Sequence, residues 1–145
     1  MLIKVDGGVN MNELQREELQ ELFRAVDSVR LMNAPGSKLA LMTHGIMLGM
    51  REALELKKLK VEGITGNWYY EKDKEGNPKR QKSASQLMRK EGKSKEMELV
   101  AEGNAMGVRW TLEILRLIDD ISEERIEFVK EYKRHHEEMI NSLFT

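Results

Sequence analysis

The stretch GIMLGMREALELKKL, residues 45–59, decides the fold, because the same frame returns at residues 103–117 as GNAMGVRWTLEILRL. Both copies read Gly-x-x-x-Gly-x-Arg-x-x-Leu-Glu-x-x-x-Leu, and corresponding letters lie 58 positions apart. On a helix turning about 100° per residue, Gly45, Gly49 and Ala53 share one face, as do Gly103, Gly107 and Thr111. An interior glycine costs a helix about 1 kcal/mol relative to alanine. Close approach of another helix backbone offsets that cost, so these six positions are read as helix-packing residues.

The rest of each copy supports this reading. In the first, Leu39, Leu41, Met42, Ile46, Leu48, Met50, Leu56 and Leu59 leave only a narrow polar stripe of His44, Arg51, Glu55 and Lys58. In the second, Glu98, Glu102, Arg109, Glu113 and Arg116 fall in the same angular sector. Helices so apolar around their circumference belong among several neighbours. The repeat therefore predicts two central helices, over residues 37–60 and 95–118, related by a pseudo-twofold axis. The alternative is that each pairs with its counterpart in another subunit.

Outward from the repeat, Asn12 and Gln15 form a capping-box pattern that starts a helix over residues 13–32. Leu14, Leu19, Leu22, Phe23, Val26 and Val29 make its apolar stripe, and Asn33-Ala34-Pro35-Gly36 ends it. Ser37, Ser94 and Ser122 are candidate N-caps for the three long helices that follow. The last runs over residues 123–143, with Ile126, Val129, Tyr132, Met139, Ile140 and Leu143 expected to face the core. Residues 61–84 are rich in turn formers. They are read as a hairpin or loop insertion, with a strand over 67–72, a turn at Glu75-Gly76-Asn77-Pro78 and a short helix capped by Ser83 reaching Lys90.

The fold class expected is thus all-α: a bundle of about four main helices in a single domain over residues 1–145, with a small β-hairpin or loop insertion. Residues 1–10 carry two readings. Gly7-Gly8 before Met11 fits a ribosome-binding sequence read through as protein in a bacterial, phage or mobile-element gene, with Met11 as the start; a well-packed upstream segment counts against it. The other reading is a short strand or lead holding Leu2, Ile3 and Val5.

Composition excludes several function classes. The formal net charge of −1 gives no global field for nucleic acid or membranes. The absence of cysteine removes disulfides, thiolate catalysis and Cys-based zinc sites, and an intracellular, cytoplasmic life is expected. No apolar run reaches the roughly 18 residues of a spanning helix. Locally the charge separates: residues 79–95 hold seven basic residues and one acid, and residues 96–145 hold twelve acids and six bases.

The chemistry-bearing candidates are few. Lys79, Arg80, Lys82 and Arg89 follow Trp68, Tyr69 and Tyr70, and cations beside aromatics suit phosphates and stacked bases. These seven are the candidate binding residues for nucleic acid or a nucleotide. His44, with Arg51 and Glu55 nearby on its stripe, is a candidate general base or anion ligand, against a surface histidine of no special role. Glu131 and His135 are spaced for one metal but supply too few ligands, so no metal or cofactor is expected. Glu123, Glu124, Glu127 and Glu131 resemble the acidic helix of the helical nucleotide pyrophosphatases. Glu52, Glu55 and Glu113 do not reproduce the second acidic pair of that family, so the run is read as a solvated helix start.

Three functions remain. The leading one is a small helical interaction or regulatory protein that binds a protein partner and forms homo-oligomers, with no catalytic residue assigned. The second is a nucleic-acid or nucleotide binder using residues 68–95. The third is a hydrolase built on His44 or the acidic helices.

Overall fold

The computed structural model describes residues 2–4, 10–66, 69–72, 78–80 and 95–144. Among the described residues four long helices dominate: α1 (Glu13–Leu31), α2 (Lys38–Leu56), α3 (Lys95–Ile114) and α4 (Glu123–Leu143). Two short antiparallel strand pairs accompany them. Strand β1 (Leu2–Lys4) pairs with β2 (Asn10–Asn12), and β3 (Tyr69–Lys72) pairs with β4 (Pro78–Arg80). The architecture is an all-α bundle with small β additions.

The first two helices start where the sequence supplies an acceptor. Asn12 accepts from the Gln15 amide at 2.8 Å, and Gln15 returns the bond to the Asn12 amide at 3.0 Å, a complete capping box. Ser37 accepts from the Ala40 amide to open α2. α1 then lies antiparallel to α2 across the turn at residues 32–37, so that Arg30 stands near His44 at one end and Gln20 donates to the Glu62 carbonyl at the other.

The centre is the α2–α3 pair. A Cβ on Gly45 would meet the Val100 carbonyl and stand 3.0 Å from the Gly103 Cα; one on Gly103 would meet the Met42 carbonyl and stand 3.1 Å from the Gly45 Cα. Gly49 lies against Asn104 and Val108, and Gly107 against Ile46. Early residues meet early and late meet late, so the two helices run in the same direction. The partners obey the sequence offset, Met42 answering Val100 and Ile46 answering Asn104, which defines a pseudo-twofold axis between the helices. The pairing is made within one chain.

The repeat also sets where these helices stop. Both end four residues before the expected limit, at Leu56 and Ile114 instead of residues 60 and 118. Beyond α2, the Leu59 amide donates to the Leu54 carbonyl and the Lys58 amide to the Glu55 carbonyl; beyond α3, Leu117 donates to Leu112 and Arg116 to Glu113. These are paired Schellman closures. Lys58 (φ 57°) and Arg116 (φ 61°) take the left-handed position in each. The closing Leu-Glu-x-x-x-Leu of the frame spells this turn.

Several core assignments need correction. Arg51 is only 1% exposed and Glu113 only 3%, so the polar stripe is not a solvent stripe. The copies also differ, with Arg51 buried above an exposed Glu55 in one and an exposed Arg109 above a buried Glu113 in the other. Ile126, Met139, Ile140 and Leu143 of α4 are exposed, because α4 meets the body mainly through Arg125, Phe128, Val129 and Tyr132. Leu14, Leu39 and Leu56 also lie outside the core, whereas Met11 lies within it. Ile3 pairs with Met11, so residues 2–4 form a short strand. The expected helix of residues 84–90, its Ser83 cap, the Ser94 cap and the turn residues 75–77 lie outside the described residues.

Candidate functional site

Among the described residues, three places carry polar chemistry or unpartnered surface. The first is an open cavity of about 270 Å³ at the α1–α2 turn, lined by Arg30, Leu31, Asn33, Pro35, Gly36, Ala40, Leu41 and His44. Asp27 accepts from Arg30 Nη2 at 2.7 Å and from Nε at 3.1 Å, which fixes the guanidinium at the cavity wall. Burial first, then the charges of Arg30 and Arg51, hold the His44 imidazole below its ordinary pKa. His44 is therefore a half-buried ring whose neutral form is favoured. None of the α4 acids lines this cavity.

The second place is a cavity of about 300 Å³ beside the α3–α4 turn, lined by residues that include Glu18, Glu113, Arg116, Asp119, Asp120 and Arg125. Its inner wall is an ion network. Glu113 accepts from the Ser122 amide at 2.7 Å and from the Ser122 hydroxyl at 2.5 Å, and Arg125 Nε lies 3.3 Å away. Arg125 also donates to Glu18 of α1 at 3.0 Å. Burial alone raises the pKa of Glu113. The Ser122 bonds and Arg125 outweigh it and hold the carboxyl below its ordinary value. Ser122 is thus the N-cap residue of α4 without capping through its side chain, because its hydroxyl is given to Glu113. The arrangement clamps three helices together and leaves Glu113 fully occupied.

Sequence reasoning missed this clamp. The signal available was the unequal fate of the two Arg-Glu pairs: Ser122 and Arg125 follow the second copy closely, and no equivalent Ser-x-x-Arg follows the first.

The third place is the end of α4. Past Lys133, which pairs with Glu21 of α1 at 2.9 Å, the helix continues with Met139 (58% exposed), Ile140, Leu143 (77%) and Phe144 (84%) uncovered. His136 stacks on Tyr132 with ring centroids 6.1 Å apart, and His135 lies 3.8 Å from Glu131. No group of three metal-ligating side chains occurs among the described residues. Glu127 faces solvent beside Lys130, remote in role from His44.

Of the predicted binding residues, Tyr69 and Tyr70 lie on β3, and Lys79 and Arg80 on β4. Trp68, Lys82 and Arg89 lie outside the described residues. The register pairs Tyr69 with Arg80 and Glu71 with Lys79, with an irregularity between Tyr69 and Glu71. One aromatic and one cation therefore occupy facing positions of the hairpin. Among the described residues no helix is long and apolar enough to cross a membrane.

No family model, no curated protein and no solved structure matches this chain.

Proposed function

We propose that this chain is a small cytoplasmic helical interaction protein, regulatory in role, that works by protein contact and forms a homo-oligomer through the end of α4. The observation that carries the reading is the run of Met139, Ile140, Leu143 and Phe144, uncovered on a helix whose earlier turns are docked on α1. Large apolar side chains gathered on one exposed element mark an interaction surface more often than scattered ones do.

Beyond the docked turns, His136, Met139 and Leu143 follow steps of three and four, the spacing of a seam between two helices. The charges of α4 are self-complementary. An antiparallel overlap of two copies centred near His136 brings Arg134 of each close to Glu137 and Glu138 of the other. A second copy is therefore the occupant that fits.

Sedimentation or light scattering over a range of concentrations tests this. The expected result is a mass that rises with concentration, and a Met139→Glu, Leu143→Glu double variant that stays monomeric while melting like the parent monomer. A monomer mass at every concentration removes the proposal.

A second reading rests on the facing positions of Tyr69 and Arg80 in the hairpin. Single-stranded nucleic acid bound there gives an affinity that falls with salt and is lost in Lys79→Glu, Arg80→Glu, Lys82→Glu. Unchanged binding in that triple variant excludes this surface.

A further inference from the structure

We propose that the cavity at the α1–α2 turn binds a carboxylate carried on a compact apolar body. The argument begins with the lining. Arg30, Asn33 and His44 supply nitrogen on one side, and Leu31, Pro35, Ala40 and Leu41 supply carbon on the other. About 270 Å³ of open space lies between them. Small-molecule sites have this composition, mostly apolar with a few convergent polar groups.

Among the described residues none is hydrogen-bonded to the His44 ring, whereas the Thr43 hydroxyl beside it is bonded to the Leu39 and Ala40 carbonyls. The ring borders the open cavity and is not sealed in the core, so its nitrogens are free to bond a ligand there. Asn33 is steadied by its own bond to the Val29 carbonyl at 2.6 Å, and Arg30 by Asp27. The polar wall is thus held in place before any ligand arrives, and that lowers the ordering cost of binding.

The sign of the ligand follows from the charges around His44. Arg30 from α1 and Arg51 from α2 both act on the ring in the sense that disfavours a further positive charge, with Asp27 the acid paired to Arg30. A cation is repelled there, and an anion is drawn in. Free phosphate satisfies the nitrogen side alone and sits poorly against Leu31, Pro35 and Leu41. A carboxylate on a small hydrocarbon or aromatic body satisfies both, accepting from the His44 ring N–H and from the Arg30 side of the cavity while its body covers the apolar wall.

Benzoate is the probe, with inorganic phosphate as the comparison, and the readout is the His44 ring resonances followed by NMR across a pH series. Benzoate is expected to shift those resonances saturably and to raise the His44 pKa, since a bound anion favours the imidazolium. Arg30→Gln is expected to weaken the binding about tenfold or more, as loss of a charged partner does, with the helical spectrum unchanged. Arg30→Lys, which keeps the charge, serves if Arg30→Gln fails to fold, and is expected to retain part of the affinity. His44 resonances unmoved by benzoate at tens of millimolar overturn the proposal, as does a response that survives Arg30→Gln unchanged. Phosphate binding as well as benzoate overturns the apolar half of the ligand.

Discussion

At the scale of single residues the glycines and the left-handed cations pull in opposite directions. A Cβ on Gly107 would run into the Ile46 carbonyl, which is backbone and has no rotamer to escape by. Alanine gains about 1 kcal/mol of helix propensity, and forcing the backbones apart costs more than that. Gly107→Ala is therefore expected to lower stability by about 2 kcal/mol net in urea denaturation; a gain in stability contradicts the contact. Lys58 and Arg116 give the reverse case. Each sits at positive φ in a C-terminal closure where the left-handed region costs an L-residue about 1–2 kcal/mol. Lys58→Gly and Arg116→Gly should each raise stability by about 1 kcal/mol, visible as a higher denaturation midpoint. The glycine seam was legible in the sequence because glycine four residues apart in two equivalent helices has few other uses. The closures were not, because lysine and arginine do not announce positive φ, and helical periodicity continues past them.

At the scale of elements, the α3–α4 turn is held by a charge cluster and not by apolar packing. Glu113 is buried, and neutralising it leaves Arg125 with Glu18 alone, so Glu113→Gln should cost about 3 kcal/mol. The pH dependence has a definite sign. The Glu113 carboxyl lies below its ordinary value in the folded chain, so its contribution is complete above the unfolded pKa of 4.5 and is lost as pH falls through the folded value. Thermal melts at descending pH should show this acid loss in the parent and less of it in Glu113→Gln; equal acid limbs reject the clamp. The sequence placed Glu113 and Arg109 on one polar stripe without telling which is buried, because helical periodicity assigns residues to angles, not to neighbours. Only the return of α4, with Ser122 and Arg125 at its start, turns that angle into an interior. The same limit explains α4 itself. Its apolar stripe is real, but a wheel cannot say that the body ends near Tyr132 while the helix goes on to Leu143.

At the scale of the whole molecule, stability is unevenly spread. Core side chains concentrate in α1, α2 and α3, together with Leu59, Val61 and Ile64 just after α2, while Arg125 is the buried residue of α4. Amide exchange should therefore be slowest through residues 46–54 and 107–114 and fastest, among the four helices, in residues 134–143. Uniform protection along α4 contradicts the picture of a helix docked by its first half. Self-association should slow exchange in that same stretch as concentration rises, which links this measurement to the proposed interface.

The parallel run of α2 and α3 also has a kinetic consequence. Helices joined by a tight turn lie antiparallel; two that run the same way require the chain to travel back the length of the pair before the second begins. Matching positions of the seam are 58 residues apart, and closing a loop of that size costs on the order of 3–4 kcal/mol before any contact is gained. The α1–α2 hairpin can therefore form early, while the α2–α3 seam waits on a slow long-range search. Because that cost grows only logarithmically, doubling the connection adds about 0.6 kcal/mol. The connection between the glycine helices is accordingly where the chain can lengthen, or accept a foreign sequence, with least effect on the pair it joins.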